Sequence, residues 1–450
     1  MFYRIFFLFS ILSSPIFSQE IWKLPIDNKD EKKRWELEEC IGRAIKKNIS
    51  IKQSGLDLED SKNYKKEALF SFSPKINLGG THVWNYGLSQ NIVTGFLDKT
   101  ENQSSSLNVS ANIDLYKGML NFKRFQASNL SIQSNEYRLK NIKEDIALLV
   151  ANSYLQILFN KENLGIKKSQ LNIARQELNI AEEKLKNGII PKGELYELEA
   201  SVAMAEQSLV IAENNYRLSK ISLANLLLIP KTEEFEISDK EYKAPNSDIL
   251  NISPEEIYSK AINYRNEIKL AETNLLIARK NIEISKSSFQ PSIIGFYSYD
   301  SRFLSQSNLS IEEQIELNAG NSFGLQLSIP IFNGWRNNAD VKQKKIAVLK
   351  SINNLNQAKI DLENTINEAL NDAKGSYKTY EAAKKTLIAR ETAFKYAQDR
   401  FDIGAINTFN FLQAQERYTT AQSEVVKTKY DYIFKVKILE FYMGNSILSF

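Results

Sequence analysis

Across 450 residues, 58 lysines and arginines face 54 aspartates and glutamates, a formal charge of +4 with 25% of residues charged. So balanced a surface makes no demand for nucleic acid, and Lys-rich stretches such as Lys344-Lys345 are interleaved with acids in the manner of a solvated helix face. One cysteine, Cys40, and one histidine, His82, exclude an intrachain disulfide and a Cys/His zinc cluster.

The chain begins with a basic start at Arg4, an apolar run over 5–12 and a small residue, Ser18, before Gln19. Residues 1–18 therefore read as a cleavable secretory signal, and its removal leaves a charge of +3. The apolar run is too short to anchor in a bilayer, and no other segment has the roughly 20 apolar residues of a membrane helix. After an extension at 19–33, a first helix is expected near 35–71. Cys40 lies within it, away from the lipid-attachment position just after a signal, and reads as a small buried thiol.

The period then changes. Leu107, Val109, Ala111, Ile113 and Leu115 alternate with Asn108, Ser110, Asn112 and Asp114, which predicts a strand with one apolar and one polar face. Its partner is expected at 75–86, giving a β-hairpin over 75–116 with a long polar loop at 86–105. The nine prolines leave 75–190 and 331–450 free of proline, which permits very long helices. A helix is expected at 119–187, a tip turn near Gly188, a returning helix at 192–228, and a linker at 229–253 rich in proline and charge.

The same order follows again, with a helix at 254–288 and a hairpin at 292–331. That hairpin pairs 292–303 with the alternating stretch 323–331 across a loop at 300–321. A long helix is expected at 335–402, a tip turn near Gly404, a helix at 408–443 and a tail at 444–450. Each long helix would be a rod of roughly 100 Å, with Gly165 and Gly375 as internal weak points. In the second rod Leu355, Leu362, Ile366, Leu370, Ala373, Tyr377, Tyr380, Leu387 and Phe394 step by threes, fours and sevens, a coiled-coil-like seam.

The chain is thus written twice. Ala261-Ile262 stands 217 positions after Ala44-Ile45, and Phe289-x-Pro291 stands 217 after Phe72-x-Pro74. Gly334 and Gly404 stand 216 after Gly118 and Gly188. A repeat of that size exceeds the 20 to 50 residues of helical arrays and duplicates a domain-scale hairpin assembly.

Catalytic constellations are scarce: there is no GxxxxGK[ST] loop, no GxGxxG fingerprint, and no nucleophile motif near His82. Adjacent acids such as Glu38-Glu39 and Glu182-Glu183 fall on helices as surface pairs. The sequence is read as a non-enzyme with no cofactor and no metal. A soluble bundle capped by the hairpins, a periplasmic adaptor and a secreted structural coiled coil share some of these features. The secretory start argues against a cytosolic bundle, the duplicated hairpin and paired strands against an adaptor, and the lipid-type alternation against a structural coiled coil.

Six segments resemble the TolC family of outer-membrane channel proteins in family order. WELEECIGRAIKKNISIK is similar to the family's first helix and IYSKAINYRNEIKLAETN is its echo. SLNVSANIDLYKGMLNFKR and SFGLQLSIPIFNGWRNNAD resemble the descending strand and the start of the long helix. KLKNGIIPKGELYELEASV and RFDIGAINTFNFLQAQERY resemble the two helical tips. The resemblance implies a mainly α chain whose duplicated hairpins form a periplasmic α-barrel, with four transmembrane strands per chain in a shared, trimeric, twelve-stranded β-barrel.

It further implies an outer-membrane exit duct that passively conducts drugs or other small molecules, with type I protein secretion as the alternative. The partners implied are two further copies of the chain, outer-membrane lipid, a periplasmic adaptor and an inner-membrane pump of RND or ABC type. By the same resemblance, Phe401, Gly404, Asn410 and Gln413 fall at the periplasmic gate, and Gly188, Ile189, Gly404 and Ala405 at the adaptor-contact tips. Family members often carry acidic rings where this chain has Asn410 and Gln413, a departure that removes formal charge from the constriction.

Overall fold

The computed structural model describes residues 34–90, 94–230, 232–238, 240, 242–305, 307 and 309–445. The expected signal, the extension at 19–33 and the end of the tail lie outside the described residues. Strand β1 (Arg34–Trp35) is followed by helices α1 (Leu37–Lys47) and α2 (Ile49–Phe70), strands β2 (Lys75–Gln90) and β3 (Leu97–Lys117), and helices α3 (Leu120–Lys186) and α4 (Lys192–Leu226). A short strand β4 (Glu236–Ile237) pairs in parallel with β1. The second half runs α5 (Pro254–Tyr264), α6 (Asn266–Lys286), β5 (Ser292–Leu304), α7 (Ile311–Leu317), β6 (Gly320–Ser328), α8 (Arg336–Asp402) and α9 (Thr408–Tyr442).

The duplication is visible in the backbone. Helices α3 and α8 are both 67 residues long, and α4 and α9 are both 35. Each long helix is entered through two consecutive left-handed residues, Gly118-Met119 at φ 60° and 60°, and Gly334-Trp335 at φ 63° and 69°. Each ends in the same Schellman cap. Gly188 and Gly404 both sit at φ 72°, Ile189 N donates to Lys184 O at 2.9 Å, and Ala405 N donates to Arg400 O at 2.7 Å.

Two cores repeat the same positions. In the first, Cys40, Ala44, Val150, Tyr154 and Leu223 are buried together. In the second, Ile257, Ala261, Ile366, Leu370 and Leu439 occupy the corresponding places. Cys40 therefore stands where the other repeat has isoleucine, and burial pushes its thiol up to about 12, which leaves it an unreactive packing group. The seam of α8 packs as a coiled coil would: Leu362, Ile366, Leu370, Ala373 and Phe394 are buried, and Tyr377 and Tyr380 lie against Tyr432 of α9.

The helices expected as single rods at 35–71 and 254–288 are each broken once. Asn48 and Arg265 both take extended backbone, at ψ 134° and 132°, and cap the helix that follows. Asn48 does so with its side chain, accepting from Ser50 N and Ile51 N at 2.9 and 3.3 Å. Arg265 is buried at 4% exposure and lies over the rings of Phe441 and Tyr442, at 4.1 and 5.1 Å from their centroids. Its charge is matched by Glu267 at 2.9 Å and Glu144 at 3.5 Å, so one side chain ties α6 to α3 and to the end of α9.

Strands β2, β3, β5 and β6 form one antiparallel sheet in that order. β2 and β3 run longer than the alternation predicts: the segment read as 107–115 belongs to a strand spanning Leu97–Lys117, because its outer part is polar and carries no period-two signal, whereas β6 keeps the expected nine residues but spans Gly320–Ser328 and ends before Pro330, which has no N–H for the ladder. The expected loop at 86–105 is therefore largely strand, and the loop at 300–321 contains α7, held by a Ser310–Glu313 capping box. Partners in register share a face. One face carries Ile76, Leu78, Leu107, Val109, Ile113, Tyr297, Phe323, Leu325 and Leu327, and the other carries Asn77, Asn108, Ser110, Asn112, Ser298 and Asp300.

Gly118 and Gly334 differ in one respect that separates conformation from crowding. A Cβ at Gly118 would lie 2.6 Å from Gln290 Cβ and 2.7 Å from Ser287 O, whereas one at Gly334 would meet nothing within 4 Å. Gly118→Ala is expected to lower stability by about 2 kcal/mol or more, and Gly334→Ala by about 1 kcal/mol, in detergent-solubilised thermal denaturation. Equal losses would show that the left-handed backbone alone, and not the contact with the α6–β5 turn, sets the requirement.

Candidate functional site

Two features of the sheet concern function. First, its apolar face is bare towards the helical end: Phe323, Leu325 and Leu327 are 83%, 71% and 62% exposed. Second, the register assigns β3 and β5 partners on both sides, but β2 and β6 a partner on one side only. An apolar surface with two open edges belongs in lipid only when the edges are paired. Across the polar face, Asn108 donates to Ser298 Oγ at 3.1 Å and to Asp300 Oδ1 at 2.7 Å, a hydrogen-bonded polar lining.

At the opposite end of the long helices, the α3–α4 and α8–α9 turns lie side by side. Thr408, at the start of α9, donates through Oγ1 to Glu194 Oε2 of α4 at 3.0 Å. Phe411 is fully buried and stacks on Phe401 at 4.5 Å, with Phe394 beyond it at 5.9 Å. Lys184 of α3 reaches over the Phe401 ring at 5.3 Å. A cavity of about 310 Å³ between the two tips is lined by Glu177, Lys184, Glu194, Phe401, Asp402 and Thr408.

The residues singled out from the sequence are divided by this geometry. Gly188, Ile189, Gly404 and Ala405 are exposed at the extreme tips. Asn410 and Gln413 are exposed on the first turns of α9, and the helix cap is Asn407, whose side chain accepts from Asn410 N at 3.0 Å. Phe401 is half-buried in the stack on Phe411. Sequence reasoning missed Phe411, Thr408, Glu194 and Glu177. Phe411 falls on the apolar stripe of α9 and carried a signal; the Thr408–Glu194 link joins residues 214 apart and carried none.

Glu177 is 94% shielded by relative area, being 6% exposed, and burial raises its carboxyl above the ordinary value of 4.5. Asp402 adds to the rise and Lys184 opposes it.

Bare apolar strands, a polar opposite face and helical hairpins on the order of 100 Å long define the wall of a membrane-inserted duct with a tip remote from the membrane. Among the described residues, no helix is long and apolar enough to cross a membrane. The chain belongs to the outer membrane efflux protein family, whose defining pattern matches residues 40–227 and 257–445, one match in each repeat. It is an outer-membrane protein of the efflux-channel class. It is similar to outer membrane protein TolC of Vibrio cholerae serotype O1, with 21% identity over 306 residues, 67% of this chain and 68% of that protein.

Among solved structures, the Campylobacter jejuni outer membrane channel CmeC shares the fold with a TM-score of 0.78 at 18% identity, covering 91% of this chain and 85% of that one. Outer membrane protein VceC of Vibrio cholerae does so with a TM-score of 0.76 at 15% identity, covering 91% and 96%.

The raised carboxyl of Glu177 sets a pH dependence. Because the folded protein holds this proton more tightly than the unfolded chain, its contribution to stability falls as pH rises from 4.5 through the raised value, and the burial penalty is complete above it. Glu177→Gln is expected to raise the thermal midpoint at pH 7 and to flatten its decline over that window. Superimposable pH profiles for the two proteins would show that the tip tolerates the buried charge without cost.

Proposed function

We propose that three copies of this chain form an outer-membrane exit duct that conducts drugs or other small molecules out of the cell. Four strands cannot close a barrel, and bacterial outer-membrane barrels begin at about eight strands. Edge-to-edge pairing of β2 with β6 of a neighbouring copy removes every open edge, and three copies supply twelve strands. The single observation that carries this reading is the sheet with one bare apolar face and two open edges, placed at the end of a family-typical pair of helical hairpins.

In this reading residues 1–18 are a cleaved signal, the helices extend into the periplasm and form the lower tube, and the segment at 229–253 forms a band around its middle. The channel performs no chemistry and holds no cofactor. A periplasmic adaptor docks at the tips near Gly188, Ile189, Gly404 and Ala405, and an inner-membrane pump of RND or ABC type supplies the energy. The turn around Gly404 forms the constriction, where Phe401 holds the packing and Asn410 and Gln413 face the passage. The names of similar proteins support the class, among them a toxin and drug export protein and an alkaline protease secretion protein.

The test compares a deletion strain with its parent for accumulation of a fluorescent efflux dye and for sensitivity to a panel of hydrophobic drugs. Higher accumulation and sensitivity, restored by the intact gene, are expected. No change, with a secreted protein lost from the culture supernatant, would replace small-molecule efflux by type I protein secretion. Recovery of the protein in osmotic-shock fluid in place of the outer membrane would overturn the channel reading in favour of a soluble structural coiled coil.

The uncharged Asn410 and Gln413 give a second expectation. In planar bilayers, trivalent cations added from the periplasmic side should block the conductance only weakly, and the double change Asn410→Asp with Gln413→Asp should create strong block. Strong block of the unaltered channel that Asn410→Ala reverses would refute the assignment.

A further inference from the structure

Helix α7 does not extend away from the sheet as a free loop. It folds back onto the apolar face, held to β5 by three hydrogen bonds and braced by a fourth within its own loop. Ser301 Oγ donates to Ile315 O at 3.1 Å, and Asn318 Nδ2 donates to Arg302 O at 2.8 Å. Leu304 N donates to Gln314 Oε1 at 3.0 Å, while Gln314 Nε2 closes the turn onto Leu309 O at 3.0 Å. Gln314 is 1% exposed and Ser301 5%, so the attachment is a built feature.

Between α7 and the sheet lies a cavity of about 590 Å³, lined by Gly80, His82, Leu107, Phe303, Ile311 and Ile315 with Ser105 and Ser301 between them. Thr81 and Ser106 also border it but belong by register to the opposite face of the sheet; of the side chains on the cavity's own face, His82 Nδ1 is paired with Ser105 Oγ at 2.7 Å, and the Ser301 hydroxyl holds the helix. What remains is a mostly apolar wall, which suits hydrocarbon and not a polar solute.

The position of the cavity names the occupant. His82, Ser105, Leu107, Ser301 and Phe303 lie on the same face of the sheet as Leu78, Val109 and Tyr299, so the cavity is continuous with the apolar face. His82 is the eighth residue of β2 counted from the helical end, where a crossing strand needs about 9–11 residues, which sets the cavity in the outer half of the bilayer. Strand pairing with a neighbouring copy joins edges and does not cover a face, so no subunit fills it. Glu312, Glu313 and Glu316 are exposed on α7, which keeps the helix at the polar boundary and prevents it from sinking into the cavity it roofs.

We infer that this cavity holds an acyl chain of an outer-leaflet lipid, with α7 as its clasp. The inference rests on the outer-membrane reading above, and goes beyond a general contact with lipid to one seated chain per subunit.

Gly80 and Gly79 supply a matched test. A Cβ at Gly80 meets only Ser106 O at 3.9 Å and one at Gly79 meets nothing within 4 Å, so neither backbone position excludes a side chain at its root. Gly80→Leu fills the cavity, and Gly79→Leu adds the same side chain on the polar face. The full-length protein is purified from outer membranes, delipidated in mild detergent and titrated with dimyristoyl phosphatidylethanolamine, and retained lipid is counted by native mass spectrometry. One tightly retained lipid per subunit is expected for the unaltered protein and for Gly79→Leu, with retention at least tenfold weaker in Gly80→Leu. Equal retention by all three would overturn the site. Absence of the unaltered protein from the outer membrane would instead overturn the reading on which the site rests, and fractionation before purification separates the two failures.

Discussion

A β-sheet cannot end in lipid. Each unpaired backbone group there costs several kcal/mol, and no water is present to take the place of a neighbouring strand. The sheet of this chain has an apolar face from Ile76 to Leu327 and bare edges at β2 and β6, and most of the molecule can be understood as a response to that. In the proposed assembly the edges pair with copies of the same sheet, and copies of the sheet bring copies of the helices with them. The helices beneath then have neighbours for faces that a single chain leaves exposed.

The duplication makes this geometry economical. Helices α3 and α8 match residue for residue in length, and each is bounded by the same left-handed entry and the same Schellman exit. Equal rods with equal caps end at the same height, so both tips meet in one plane and the Thr408–Glu194 contact can form. The two cores near the middle use the same positions with different side chains, and Arg265 shows where the halves diverge. The first repeat breaks its entry helix with an asparagine cap, and the second breaks it with a buried cation lying over two aromatic rings. The tip cavity, with its buried Glu177 beside Asp402 and Lys184, is likewise a junction between unlike halves.

Much of the architecture was legible before any coordinates, for reasons that can be traced to particular residues. Alternation over 107–115 marks a strand because one face is apolar, and the seam from Leu355 to Phe394 marks a long helix because one stripe is buried. The signal fails where burial fails. The outer part of β3 is polar on both faces and reads as loop, while β2 extends only four residues past the expected end at Tyr86. Helix α7 is only seven residues long and lies in a polar stretch, so its two isoleucines gave no periodicity to count. The breaks at Asn48 and Arg265 were missed because neither residue is a proline or a glycine; each interrupts its helix by what its side chain holds.

The sequence by itself determined the duplication, the lengths of the rods and the membrane-type face of the strands. All are local properties, set by period, by the placement of proline and glycine, and by the spacing of landmarks 216 or 217 residues apart. Only the tertiary structure decided which residues meet across that distance. The pairing of β3 with β5, the link between Thr408 and Glu194, and the cavity under α7 all join segments whose separation leaves no trace in a local pattern. Contacts of that kind are fixed by how two repeats pack against each other, and packing is a property of surfaces brought together in space.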